Sequence, residues 1–428
     1  MTTILVEGIG DVVDRLYGPA LAKLKIDIPS IRIIYSDNSA YWPGVAGRPE
    51  KRKQTLETLK RWGGEFLDKG DEEDNDKYLQ LRTSAQVDTV LIATNDATHT
   101  ELAEAWLQNS YTKIFIEKPL TDSKGKAITF IGNTRRADQL RVRAFDHYRA
   151  RMHLYLQHSA NMRTILSRLD SIKVFRFFFV EDHSGTDAAY WNSLKARGQA
   201  PNDRNGPIEI ECRQEPLREG LVLDMMPHMA ALLSYFGHVG EISVDAVRAA
   251  RYTGVDYDEK REVEIQAETF AAINFEFTDH MNKVVEGQAY VGKGVRGSKY
   301  HPNLEGNVKL LELEGTNGRR ILFDFRNNIV SCVNRGNSVD NIGTLDQYPY
   351  YYLLQQIVQS KEPPTDVADK NSVTMSIKTG RRILEILDDI RFHIKPPLQT
   401  YPLGNREGRR PPYLEDLIES IRPLWGKD

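Results

Sequence analysis

Along residues 1 to about 148, short apolar runs alternate with segments whose apolar positions recur at helical spacing. The runs are Ile4 to Val6, Ile31 to Tyr35, Val87 to Ala93, Lys113 to Ile116 and Val142 to Phe145. Short, nearly unbroken apolar runs are how strands buried on both faces of a parallel sheet read, and helical patterns between them supply the crossovers. Pro49 to Trp62 reads as a helix with a Pro near its first turn and Gly63-Gly64 at its end, and Thr98 to Leu107 reads as another. The segment Asp68 to Lys77 lacks the ligand alternation and terminal Glu of a calcium loop, so a solvated charged loop is expected there.

After residue 170 the pattern changes. Runs rich in Val, Ile and Phe follow one another at Ile172 to Val180, Glu241 to Arg248, Thr269 to Thr278, Lys283 to Val291, Asn307 to Glu314 and Arg319 to Phe325. No helical pattern separates them, and Thr316-Asn317-Gly318 is a hairpin turn signal, so a large, mainly antiparallel sheet is expected. Helical spacing returns over Tyr350 to Val358 and Ser372 to Ile390, on either side of Pro363-Pro364. Residues 182 to 216 form a polar, Gly- and Pro-punctuated excursion of the kind that often covers a site. The expected fold class is α/β, a doubly wound parallel sheet over residues 1–148 joined to an α+β domain over residues 149–428.

Length agrees, since 428 residues suit two domains of roughly 100 to 200 residues each better than one. Hydrophobic residues at 40% and charged residues at 27% allow a buried core and exclude a disordered chain. With 57 basic against 60 acidic residues the formal charge is -3, so no field draws the protein to nucleic acid, and no nucleic-acid partner is expected. Two cysteines, Cys212 and Cys332, make neither a disulfide framework nor a zinc ribbon. The chain enters a strand at Thr3 without a basic flank, and no apolar stretch approaches 18 residues; a cytoplasmic protein without a membrane partner is expected.

Candidate chemistry sits at strand ends. Gly8-Ile9-Gly10 follows the first strand and precedes a helical pattern at Leu16, Leu21 and Leu24. Two glycines there let a pyrophosphate approach the backbone, where free N–H groups and the helix dipole favour negative charge. Val13 stands at the third position of that fingerprint and Asp11 puts a carboxylate beside it. Asp37 ends the second strand, where an acid can bind a ribose hydroxyl and repel the extra phosphate of NADP; an ordinary turn Asp reads equally well. Glu117-Lys118-Pro119 ends the fifth strand, where carboxyl ends of parallel strands form a ligand crevice. The ten His residues are scattered without an H-E-x-x-H pair, so no metal is expected.

The series Gly8-x-Gly10, Ala93-Thr94-Asn95 with His99, Glu117-Lys118-Pro119 and Leu223-Asp224-Met225-Met226-Pro227-His228 resembles the motif series of the glucose-fructose oxidoreductase and inositol dehydrogenase family, Gfo/Idh/MocA. The closing helical patterns also resemble that family's ending, while residues 182 to 216 and 292 to 306 have no clear counterpart. The resemblance implies an N-terminal Rossmann domain that binds NAD or NADP, and a C-terminal substrate-binding and oligomerisation domain with a large open sheet. It further implies oxidation or reduction of a sugar or polyol. Gly8, Ile9, Gly10, Asp37, Thr94, Asn95, His99, Glu117 and Lys118 would then hold the cofactor, with NAD favoured by Asp37. A second resemblance, to the glucose-6-phosphate dehydrogenase family, lies in Gly10 to Leu16 followed by Pro19-Ala20-Leu21, in Glu117-Lys118-Pro119 and in Asp146-His147-Tyr148. Pro227 departs from it by standing where that family has an Asn before its catalytic His.

On these resemblances His228 is the base for a carbinol proton, a role suited to an imidazole that titrates near neutrality. Lys118 supports the developing alkoxide. Asp224, one helical turn before His228, and Asp146 compete to orient that imidazole; Asp224 also reads as a helix N-cap. His147, Tyr148 and Arg149 would meet the substrate, and the cationic cluster suits a sugar phosphate, although Arg149 and Arg151 also read as the start of a solvated helix. The expectation is an NAD(P)-dependent sugar or sugar-phosphate dehydrogenase acting on a CH–OH group. A biosynthetic ketoreductase running the other way stays open, as does a regulator that binds the dinucleotide without turnover, as some members of the family do. An exposed sheet face in the second domain would favour a homo-oligomer.

Overall fold

A computed structural model describes residues 2–10, 12–40, 49–94, 96–158, 169, 171–181, 220–237, 242–255, 262–264, 270–293, 295, 297, 307–334, 339–345, 349–359, 372–394, 399–402 and 413–421. In chain order the strands are β1 (Thr3–Glu7), β2 (Arg32–Asp37), β3 (Glu65–Asp68), β4 (Thr89–Ile92), β5 (Lys113–Glu117), β6 (Val142–Phe145), β7 (Ile172–Glu181), β8 (Ser243–Val255), β9 (Glu262–Glu264), β10 (Phe270–Thr278), β11 (Val284–Lys293), β12 (Val308–Gly315), β13 (Arg320–Asp324), β14 (Ile329–Val333), β15 (Val339–Thr344), β16 (Thr374–Ser376) and β17 (Gln399–Pro402). The helices are α1 (Gly18–Asp27), α2 (Pro49–Arg61), α3 (Glu72–Thr83), α4 (His99–Leu107), α5 (Lys124–Asn133), α6 (Arg136–Gln139), α7 (His147–His158), α8 (Gly220–Phe236), α9 (Pro349–Gln359), α10 (Ile377–His393) and α11 (Leu414–Ile421). Two compact units result: Met1–Leu154 with Asp346–Glu385, and Tyr155–Leu345 with Ile386–Asp428.

The first unit holds a seven-stranded sheet in the order β16-β6-β5-β4-β1-β2-β3. Every pairing from β3 through β6 is parallel, and only β16 runs antiparallel, against β6. The strands are short because both faces are covered: every residue of β1, β4 and β6 is buried. Each fully buried Val, Leu, Ile or Phe side chain contributes about 1.5–3 kcal/mol. Leu21 and Leu24 of α1 join Ile4, Val6, Phe115 and Phe145 in one core, which also receives Tyr350, Leu353 and Leu354 of α9. A helix written late in the chain therefore completes the hydrophobic cover of the first sheet.

Two local expectations are corrected. Asp68 to Lys77 is no solvated loop. Asp68 closes β3 and accepts Ser39 N and Gly70 N at 3.0 and 2.9 Å, and Asp71 caps α3 by accepting Asp74 N at 3.1 Å. The acidic run fills the first turn of a helix, where the dipole favours negative charge. Likewise Thr374 to Ser376, expected within a helix starting at Ser372, pair with the open edge of β6, and Arg143 Nε donates to Thr374 Oγ1 at 2.9 Å.

The second unit holds a ten-stranded sheet in the order β15-β14-β13-β12-β7-β11-β10-β8-β17, with β9 paired to β8. It is mainly antiparallel, as expected, with parallel pairings only of β7 with β11 and β8 with β17 among the described residues. The expected hairpin between β12 and β13 closes through Gly318, whose φ of 74° needs a residue without Cβ. Along β7 the period of two sends Phe175, Phe177 and Phe179 into the core and Arg176 to the opposite face. Helix α8 packs on β10 and β11, with the Phe236 ring 6.3 Å from that of Phe175. Among the described residues no helix is long and apolar enough to cross a membrane.

Candidate functional site

From β1 the first sheet grows through β2 to β3 on one side and through β4 to β6 on the other, so strand order reverses between β1 and β4. Ligands of open α/β sheets bind outside the carboxyl ends at such a reversal. Gly8 leaves β1 there with φ of 87°; a Cβ on it would sit 3.0 Å from Ala93 O and Thr94 Cγ2, so glycine is required. Gly8 N donates to Ser36 O at 2.8 Å and Asp14 N to Gly10 O at 3.0 Å, which turns the chain into a π-helical turn at Val13–Tyr17 and then α1. A Cβ on Gly10 would meet nothing within 4 Å. The backbone at the second glycine is thus open to an approaching group, which fits a pyrophosphate beside the start of a helix.

Buried and half-buried side chains organise the neighbouring strand ends. Asp37 accepts Ile9 N at 3.3 Å and Asn38 N at 2.8 Å, and Arg52 Nη1 lies 3.1 Å from its Oδ2. Glu7, the last residue of β1, is fully buried and accepts Tyr78 OH at 2.6 Å, Trp106 Nε1 at 2.7 Å, Ser36 Oγ at 2.7 Å and Lys69 Nζ at 3.0 Å. Burial alone would push this carboxyl up, yet the Lys69 ammonium and the three neutral donors hold it below its ordinary value. The His99 ring braces two loops, with Nδ1 2.9 Å from Pro119 O and Nε2 3.2 Å from Thr94 O. Thr94 and Thr98 hydroxyls lie 2.9 Å apart. Asn95 lies outside the described residues.

At the ends of β5 and β6, Lys118 N donates to Phe145 O at 3.0 Å and the Lys118-Pro119 bond is cis. Glu117 accepts Tyr17 OH at 3.0 Å and Tyr350 OH at 2.5 Å on one oxygen, Oε2. Burial pushes its carboxyl up to about 7; the nearby Asp146 adds to this, while both phenols and Lys118 oppose it. Asp146 is fully buried and caps α7, accepting Arg149 N at 2.8 Å. Burial raises its carboxyl as well, opposed by His147, Arg149 and Lys118. The rings of His147 and Tyr148 lie 3.9 Å apart. Arg149 and Arg151 are buried, so the solvated-helix reading of this segment does not hold.

In the second unit, His228 sits in the middle of α8, 9% exposed, with its ring 5.8 Å from that of Phe179. Asp224 lies one turn earlier on the same helix, as the spacing required. Pro227 falls inside the helix and has no N–H to give the carbonyl four residues before it.

The structure brings Gly8, Gly10, Asp37, Thr94, Glu117, Lys118 and Asp146 to strand ends or the loops just beyond them on one sheet, and His99 to the start of the helix that follows β4. Sequence reasoning missed Glu7, Lys69, Tyr17, Tyr350 and Arg52. One signal was present for Glu7, a carboxylate closing the otherwise apolar run Thr3 to Val6, which must find buried donors.

Comparison with known proteins agrees with this geometry. Residues 45–142 match the family model described as the oxidoreductase family with an NAD-binding Rossmann fold, GFO_IDH_MocA. No curated protein matches the sequence. Among solved structures, a 3-ketoreductase mutant from Actinomadura kijaniata in complex with TDP-benzene and NADP superposes with a TM-score of 0.55 at 14% identity, covering 94% of this chain and 99% of that one. Levoglucosan dehydrogenase in complex with NADH gives 0.58 at 15%, over 92% and 96%. Glucose-6-phosphate dehydrogenase with its substrate glucose-6-phosphate gives 0.59 at 13%, over 100% and 98%. By the match over residues 45–142, which hold β3, β4, β5 and the start of β6, the chain resembles the Gfo/Idh/MocA oxidoreductases with an NAD-binding Rossmann fold, and over more than nine-tenths of its length it shares the fold of these solved structures.

Proposed function

We propose that the protein is an NAD(P)-dependent oxidoreductase that moves a hydride between a sugar carbinol and a nicotinamide. The observation that carries this is the strand reversal itself: Gly8 forced to positive φ, open space at Gly10, and Lys118 two strands away at the same edge of the sheet. A bound nicotinamide would supply the hydride acceptor, or the donor in the reverse direction. Gly8, Ile9 and Gly10 would hold its pyrophosphate with Thr94 and Asn95 alongside, and Asp37 with Arg52 would meet the adenosine ribose.

On this reading the Lys118 ammonium steadies negative charge on the reacting oxygen, and the His228 imidazole takes the carbinol proton or returns it to a ketone. The His228 role rests on its motif and on the helix that spaces it from Asp224. Asp146 and Asp224 remain the two carboxylates proposed to orient it. His147 and Tyr148 are proposed for the substrate side, and Arg149, expected beside them, for support of that segment from beneath. Arg149 has no exposed surface to offer a phosphate, which favours a neutral sugar over a sugar phosphate. A cytoplasmic setting and a homo-oligomer belong to the same proposal.

The test is nicotinamide absorbance across a panel of aldoses, their 6-phosphates and polyols. Turnover that collapses by about 10² or more in His228→Ala is expected. Dinucleotide binding without turnover across the panel overturns the enzyme in favour of a regulator.

A further inference from the structure

The end of β5 is held by two phenols from opposite parts of the sequence. Tyr17 closes the π-helical turn behind Gly8-Ile9-Gly10 and lies 100 positions before Glu117; Tyr350 lies on α9, 233 positions after it. Both hydroxyls donate to Glu117 Oε2, and their rings are 4.1 Å apart, with Phe145 of the next strand 4.4 Å from Tyr350. All four side chains are buried. A carboxyl group in such surroundings either finds donors or gives up its charge. Successive residues of a strand point to opposite faces, so anchoring Glu117 on one face fixes where Lys118 leaves on the other. Lys118 N is in turn tied to Phe145 O.

We infer that Tyr17 and Tyr350 are positioning residues for the reaction: by donating to one oxygen of Glu117 they hold that carboxyl group in place beside Lys118 and favour its ionised form. The inference rests on the role proposed above for Lys118, and neither tyrosine is itself placed at the reacting atoms. The groups acting on Glu117 come from every element around it: Tyr17 from the turn after β1, Tyr350 from α9, Lys118 from its own strand end, and Asp146 from the end of β6. Loss of a phenol bond removes support from the ionised carboxyl, so Glu117 keeps its proton to higher pH. A neutral Glu117 then removes one of the two carboxyl groups, the other being Asp146, that interact with the Lys118 ammonium.

Two titrations on the full chain test this without any substrate. The Glu117 carboxyl is followed by carbon-detected NMR in wild type and in Tyr350→Phe, and its midpoint should rise by about one pH unit when the donor is lost. Tyr17→Phe repeats the measurement should Tyr350→Phe fail to fold. The Lys118 amine is followed by competitive acetylation read by mass spectrometry, and its midpoint should fall in Glu117→Gln by about half a unit or more. With an active sugar in hand, the acid limb of kcat should move with the Glu117 midpoint in Tyr350→Phe, while dinucleotide affinity stays within about twofold. An unmoved Glu117 midpoint in both tyrosine variants, or an unmoved Lys118 midpoint in Glu117→Gln, overturns the inference even if activity falls. A wild type that turns over no sugar sinks the proposed function alone and leaves both titrations to judge the clamp.

Discussion

Asp37 and Arg52 neutralise each other at the end of β2, with Arg52 Nη1 3.1 Å from Asp37 Oδ2. The same oxygen lies 3.3 Å from Ile9 N in the glycine turn, and Oδ1 accepts Asn38 N, so the carboxylate already serves three donors. A free Asp here would bind a ribose diol and repel a 2′-phosphate, whereas an arginine beside it can accommodate that phosphate. With both present, NADP is not excluded as Asp37 alone would have it.

Arg52→Ala should therefore separate the two dinucleotides. Loss of a charge-assisted contact to the 2′-phosphate lowers NADPH affinity by about 10-fold or more, while NADH affinity holds or rises as Asp37 is released. Fluorescence titration of both reduced cofactors gives the comparison. An equal loss for both would show that Arg52 acts only through the glycine turn.

Gly8 and Gly10 answer different constraints. Gly8→Ala forces a Cβ to 3.0 Å from Ala93 O at a φ of 87°, which costs about 1–2 kcal/mol and lowers the melting temperature. Gly10→Ala meets no neighbour, so the melting temperature of the free protein should stay within a degree or two, yet dinucleotide affinity should drop at least about tenfold. Unchanged affinity in Gly10→Ala would mean that no pyrophosphate reaches the backbone there.

Much of this site was legible as strand ends. The apolar runs before Gly8, Asp37, Thr94 and Lys118 have the length and continuity of buried parallel strands, and chain direction puts the residues just past each run at the carboxyl edge of the sheet. The supporting contacts were not legible, because they join positions with no local relation. Glu117 meets Tyr350 across 233 positions, and Glu7 finds Tyr78 and Trp106 on helices 71 and 99 positions away. Helix α3 was hidden for another reason: only Tyr78 and Leu81 are buried along it, so its apolar period is faint and its acidic first turn reads as a loop. The start of α10 was misread because an open edge on β6 takes Thr374 to Ser376 into the sheet, a pairing that no local pattern encodes.

On the second sheet, Arg176 Nη1 lies 2.5 Å from Glu312 and 2.7 Å from Glu314, and Arg320 reaches Glu312 only at 3.5 Å. Burial would lower the guanidinium's hold on its proton, and the two carboxylates reverse that. Arg176→Met keeps much of the stem's packing but leaves two carboxylates side by side on β12. The expected loss is about 2–3 kcal/mol in urea unfolding, and Arg176→Met with Glu312→Gln should recover part of it. Additive losses in that cycle would mean that the ion pair contributes nothing.

Glu7 and Lys69 give the clearest pH signature. The Glu7 carboxyl lies below its ordinary value, so the stability it contributes is present above that ordinary value and is lost only as pH falls through the lower folded one. In Lys69→Met the ammonium is gone, and burial, the largest influence on this group, then pushes the carboxyl upward. The sign reverses: ionised Glu7, left with its three neutral donors and no cation, becomes a cost at neutral pH, up to about 3 kcal/mol, and the cost fades as acid restores the proton. Urea midpoints followed by tryptophan fluorescence, to which Trp106 beside Glu7 contributes, should therefore differ most between wild type and variant near about pH 7 and converge toward about pH 4. A gap of constant size across that range would place the effect in lost contact of the lysine with the Tyr78 ring, whose centroid lies 5.1 Å from the ammonium, rather than in the charge of Glu7.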